Sequence, residues 1–100
     1  MKRATDNIER TFAISPAHLT VATREWLEEQ ATTNQVPKVV AYEKGGYGWW
    51  VVVPEMRDEE DVPSDLQDCL LVARALDCNW VMFDCDAGAS PLLRMYSEES

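Results

Sequence analysis

An α+β domain of βαββαβ order is what this chain predicts: a ferredoxin-like (split βαβ) sheet, two helices on one face and a short extra C-terminal strand. Three observations lead there. Two helix-period segments alternate with β-rich runs in the order strand, helix, strand, strand, helix, strand. Lys44-Gly45-Gly46 separates two of those runs and signals a tight hairpin. Right-handed crossovers then carry both helices to the same side of a mostly antiparallel sheet.

The elements follow in order. Ile8 to Ile14 alternates loosely and reads as the first strand, broken by Ser15-Pro16. Thr20 is placed to cap a helix running to about Thr32. Its wheel puts Leu19, Ala22, Trp26 and Gln30 on the inner side, flanked by Thr23 and Leu27. After the turn Asn34-Gln35-Val36-Pro37, Lys38–Glu43 and Tyr47–Val53 form the hairpin strands. Trp49 and Trp50 are adjacent in a strand, so they must point to opposite faces, and one of them lies away from the helices. Pro63-Ser64-Asp65-Leu66-Gln67 opens the second helix, with Ser64 and Gln67 at capping-box spacing and Leu66, Cys69, Leu70, Ala73 and Leu76 as its inner stripe. Asn79–Phe83 is the fourth strand and Leu92–Tyr96 the short last one. With no repeat and no linker, residues 1–100 read as one domain, with 1–7 and 97–100 as flexible ends.

Composition narrows function more than motifs do. A net charge of −9 argues against direct contact with nucleic acid or an anionic membrane, both of which want a basic face. No run approaches the ~20 apolar residues of a membrane span, and no apolar segment follows the N-terminus as in a signal peptide. Cys69, Cys78 and Cys85 sit in apolar stretches and match no zinc spacing, so reduced thiols in a cytoplasmic protein is the economical reading. Seven carboxylates fall between Glu55 and Asp68: Glu55, Asp58, Glu59, Glu60, Asp61, Asp65 and Asp68. That density repels itself, and either a solvated loop or a surface that docks on a basic partner accounts for it.

Two segments carry residues used in catalysis. Val81-Met82-Phe83-Asp84-Cys85-Asp86 delivers two carboxylates at a strand end, as in Mg²⁺-dependent phosphoryl transfer, and resembles the opening strand of haloacid-dehalogenase-type phosphatases. The later lysine and acids of those enzymes are missing, and an Asx-turn explains the same residues. Ser15-Pro16-Ala17-His18-Leu19-Thr20 holds the lone histidine, which has no third member of a triad and is better explained as ordering the turn before the helix.

Ser15-x-Ala17-His18-Leu19-Thr20, Tyr47-Gly48-Trp49 and Phe83-Asp84-x-Asp86 together resemble a family of small uncharacterised bacterial proteins carried on plasmids, phages and integrated elements. The likeness spans about residues 12 to 96. It departs at Pro16, where the family usually has Thr or Cys, and at Leu93-Arg94-Met95-Tyr96, where the family tends to close on Leu-Pro-x-Tyr-x-Trp. The resemblance implies a mobile-element setting and lends no activity or site residues.

The expectation is therefore a non-enzymatic acidic inhibitor of anti-CRISPR or anti-restriction type, a DNA mimic that needs no cofactor. It would bind the basic nucleic-acid-binding surface of a host defence complex through the seven acids, with Leu71 and Val72 covered by the partner or by a second copy in a homodimer. The alternatives are a Mg²⁺-dependent phosphoryl-transfer or nuclease-like enzyme using Asp84 and Asp86, and an antitoxin or accessory partner protein.

Overall fold

The computed structural model describes residues 9–33, 39–45, 48–54 and 62–96. Outside these lie both chain ends, residues 34–38 where the sequence predicts a turn, Gly46 and Tyr47, and Glu55 and Asp58–Asp61 of the acidic stretch. The elements are β1 (Thr11–Ile14), a 3₁₀ turn (Pro16–His18), α1 (Val21–Thr32), β2 (Ala41–Glu43), β3 (Gly48–Val52), α2 (Ser64–Ala75) and β4 (Trp80–Asp84). This is an α+β fold with the expected βαββαβ order.

The sheet is mixed, in the order β1-β4-β3-β2. β2 pairs antiparallel with β3, and β3 with β4, while β1 pairs parallel with β4. A split βαβ sheet would hold β1 inside, between antiparallel neighbours; here β4 takes the inner place and β1 the edge. Asn79 anchors that pairing. Its Oδ1 accepts the Arg10 N–H at 3.0 Å, and the Asn79 and Trp80 amides donate to the Arg10 carbonyl at 2.8 and 3.2 Å.

Strand alternation sorts the residues into two faces. Ile14, Val81, Phe83, Val51 and Ala41 point inward and form one core with Leu27 of α1 and Leu66, Cys69, Leu70 and Ala73 of α2. One continuous core means that both helices cover one face, as expected. The adjacent tryptophans separate as strand geometry requires: Trp49 packs against the core, while Trp50 joins Trp80 on the other face.

Four details differ from expectation, the first being Leu76, expected on the inner stripe of α2 but exposed at its C-cap. On α1 the buried residues are Thr23 and Leu27, with Trp26 and Ala31 packed beside them and Ala22 exposed. The helix turns Thr23 and Leu27 to the core, where the Thr23 hydroxyl donates to the buried Asp65 carboxylate. On α2 the N-cap is Pro63 and no side chain caps it; Gln67 Nε2 instead donates to the Val62 carbonyl at 2.7 Å. Residues 92–96 join no strand. The Tyr96 amide donates to the Ala17 carbonyl at 2.7 Å, and the Arg94 carbonyl accepts from His18, so this segment is a strap bound to the 3₁₀ turn instead of a sheet strand.

Candidate functional site

The face opposite the helices has no covering layer among the described residues. Alternation places Thr11 and Ala13 of β1, Trp80 and Met82 of β4, Trp50 and Val52 of β3, and Tyr42 of β2 on it. Its centre is aromatic. Trp50 meets Trp80 edge-on, with ring centroids 5.9 Å apart at 85°, and Tyr42 tilts against Trp80 at 6.2 Å and 45°. Tyr42 is 54% exposed. Together with Glu9 and Thr11 these rings line an open hollow of about 470 Å³. Glu9 Oε1 accepts the Trp80 indole N–H at 3.1 Å, which fixes one ring and sets a carboxylate at its edge. Rings held by their neighbours on a rigid sheet lose little freedom on binding, which suits them to anchor a partner.

A smaller hollow of about 200 Å³ lies beside the 3₁₀ turn, lined by Pro16, Arg24, Glu28, Glu43, Gly48, Trp49 and Cys85. A hydrogen bond with Glu43, then the nearness of that second carboxylate, pushes the Glu28 carboxyl above its usual range. The Trp49 indole nitrogen is buried without a hydrogen-bond partner among the described residues.

The catalytic-looking segments are occupied by the fold. Asp84 Oδ1 accepts the Asp86 N–H at 2.9 Å, an Asx-turn, and Oδ2 pairs with Lys44 at 3.1 Å. The Asp86 amide first and Lys44 second hold the Asp84 carboxyl below its usual range. Among the described residues, no third His, Cys, Asp or Glu joins these two to make a metal-binding group. His18 is 1% exposed and spends both ring nitrogens: Nδ1–H donates to the Arg94 carbonyl at 2.7 Å, and Nε2 accepts the Ser90 N–H at 2.9 Å. Ser15 Oγ accepts the Ala17 N–H at 3.1 Å, and Thr20 Oγ1 accepts the Thr23 N–H at 3.2 Å. The segment from Ser15 to Thr20 is a structural knot, each polar group in it serving a turn, a cap or the strap.

The expected partner-binding residues divide. Glu55 and Asp58–Asp61 lie outside the described residues, and Asp68 is exposed on α2. Asp65 leaves the acidic surface: it is 6% exposed and accepts from Thr20 N at 2.8 Å and Thr23 Oγ1 at 2.7 Å. Leu71 is 39% exposed and Val72 half-buried, as their places outside the inner stripe require. Strand alternation alone sends one tryptophan away from the helices, but no local pattern gathers Tyr42, Trp50 and Trp80 with Glu9, because the contact between Tyr42 and Trp80 spans strands that are not neighbours.

No helix among the described residues is long and apolar enough to cross a membrane. No curated protein and no solved structure matches the chain. Residues 11–98, nearly the whole fold just described, match the C-terminal domain of a family of unknown function (DUF5983), and the chain belongs to that family.

Proposed function

We propose that this domain is a non-enzymatic acidic inhibitor from a mobile element, docking on the basic nucleic-acid-binding surface of a host defence complex. The observation that carries this reading is the uncovered sheet face, aromatic at its centre and bordered by Glu9, in a chain of net charge −9. Apolar rings with a charged border are the usual anatomy of an interface, and the negative charge selects a basic partner and speeds encounter with it. The engagement of His18 and Asp84 in local structure supports binding over catalysis. Carboxylates of the 55–68 stretch other than the buried Asp65 would stand in for phosphates against Arg and Lys.

The test is capture from host lysate at low salt, with mass spectrometry of what binds. It is followed by a measurement of whether the domain blocks nucleic-acid binding by the captured complex. Changing Asp58, Glu59, Glu60 and Asp61 to Ser should weaken that block while the variant's thermal unfolding stays that of the wild type. A captured complex that binds nucleic acid equally well with and without the domain would refute inhibition. A block that survives the quadruple change would refute phosphate mimicry.

A further inference from the structure

We infer that the hollow formed by Tyr42, Trp50, Trp80, Thr11 and Glu9 is a receptor for an arginine side chain of a basic partner. This inference rests on the docking reading above and names its anchor. Three aromatic rings and one carboxylate meet there, and the described residues of the lining include no lysine or arginine. A ring face carries the negative end of its quadrupole, so the chemistry of the hollow is cation-seeking throughout.

The cations closest in sequence to its lining are committed elsewhere. Lys44 pairs with Asp84 at 3.1 Å, and an Arg10 terminal nitrogen donates to the Leu76 carbonyl at 3.1 Å. Guanidinium fits better than ammonium. It is planar and weakly hydrated, stacks on an indole face, and its fork of N–H donors can meet a carboxylate and a hydroxyl together. Glu9 and the Thr11 side chain supply those two acceptors at the hollow. The edge-on packing of Trp50 against Trp80 makes a corner in which a planar cation can lie on one ring and abut the other. A nucleic-acid base would find rings to stack on but no basic residue among the described lining to hold its phosphate.

The test is a fluorescence titration of the whole chain with a short oligo-arginine peptide, an oligo-lysine peptide of equal length serving as comparison. Oligo-arginine should bind more tightly and quench tryptophan emission. Trp50→Ala should weaken oligo-arginine binding on the order of tenfold, and Glu9→Gln severalfold. Tyr42→Ser, at an exposed position, provides a second variant should Trp50→Ala perturb the fold by circular dichroism. Equal binding of both peptides would overturn the choice of guanidinium, and undiminished binding in both aromatic variants would overturn the site. So would sedimentation showing a wild-type dimer that Tyr42→Ser dissociates, because a second copy would then own the face. The two readings fail separately. If Trp50→Ala still captures and blocks the host complex, the arginine site falls and the inhibitor stands. If no nucleic-acid-binding complex is captured, the inhibitor falls and the peptide titration still decides the site.

Discussion

The carboxylate of Asp65, in the first turn of α2, accepts the hydroxyl of Thr23, in the first turn of α1, at 2.7 Å. Its second oxygen accepts the Thr20 N–H at 2.8 Å. One buried acid thus joins the starts of both helices, which face the same side of the sheet. Asp65→Ala would leave a buried hydroxyl and a half-buried amide without their acceptor, and should cost about 2–4 kcal/mol in denaturant unfolding. Asp65→Asn should cost less, because its carbonyl oxygen keeps one of the two bonds. A loss within error for Asp65→Ala would place the energy of this joint elsewhere.

His18 ties Ser90 and the strap at residues 92–96 to the 3₁₀ turn through both ring nitrogens. His18→Ala should speed hydrogen exchange at the Ser90 amide and destabilise the fold by about 1–3 kcal/mol. Amide protection at Ser90 that is unchanged in the variant would show that Tyr96 and Ser15 hold the strap without it.

Gly48 sits in β3 opposite Asp84, where an added Cβ would land on the Phe83 carbonyl oxygen. That carbonyl is backbone of the central strand and cannot swing aside. Gly48→Ala should therefore cost more than about 3 kcal/mol or prevent folding, far above the cost of an ordinary surface change. A variant with wild-type thermal stability would mean that β3 and β4 can separate locally at this point.

The thiols should separate cleanly in reactivity. Burial first, then the charges of Asp65 and Asp68, push the Cys69 thiol up to about 12, whereas Cys85 is exposed. At neutral pH a thiol reagent should modify Cys85 in the native protein and reach Cys69 only on unfolding, because the thiolate is the reactive form. Mass spectrometry after timed labelling checks this, and native labelling of Cys69 at the rate of Cys85 would contradict it.

Two carboxyls should move stability with pH in opposite directions. Asp84 is held low, so its contribution is present above the ordinary aspartate range near about 3.9 and is lost as the pH falls through its lowered value. Glu28 is held high, so its contribution is present below the ordinary glutamate range near about 4.3 and is lost as the pH rises through its raised value. Glu28→Gln should thus raise the melting temperature at pH 7 relative to wild type, with the difference shrinking in acid. Asp84→Asn should lower it at pH 7, with that difference also shrinking in acid. Reversed signs in a thermal scan would contradict the two environments.

Local chemistry made much of the fold legible. Thr20 announced the start of α1 because a hydroxyl before a helical run caps an amide two or three residues on. The outward turn of Trp50 followed from strand alternation alone. Four residues of the expected stripe on α2, Leu66, Cys69, Leu70 and Ala73, face the core because apolar residues at helical spacing share one side, while the fifth, Leu76, is the exposed C-cap. The acidity of the chain, on which the proposal of a basic partner rests, also comes from sequence.

What only the tertiary structure decided were relationships between distant segments. Asp65 reads in sequence as one more surface acid, and it is buried because Thr20 and Thr23 arrive from α1 to satisfy it. Residues 92–96 have strand-like composition, yet His18 and Ala17 take up their backbone groups as a strap. β1 took the edge beside β4 through contacts between Arg10 and Asn79, which no local pattern encodes. The same holds for the aromatic hollow. Tyr42, Trp50 and Trp80 become one surface only when β3 and β4 pair in register and bring rings from three strands together, because the free energy of such contacts depends on who meets whom and not on local sequence.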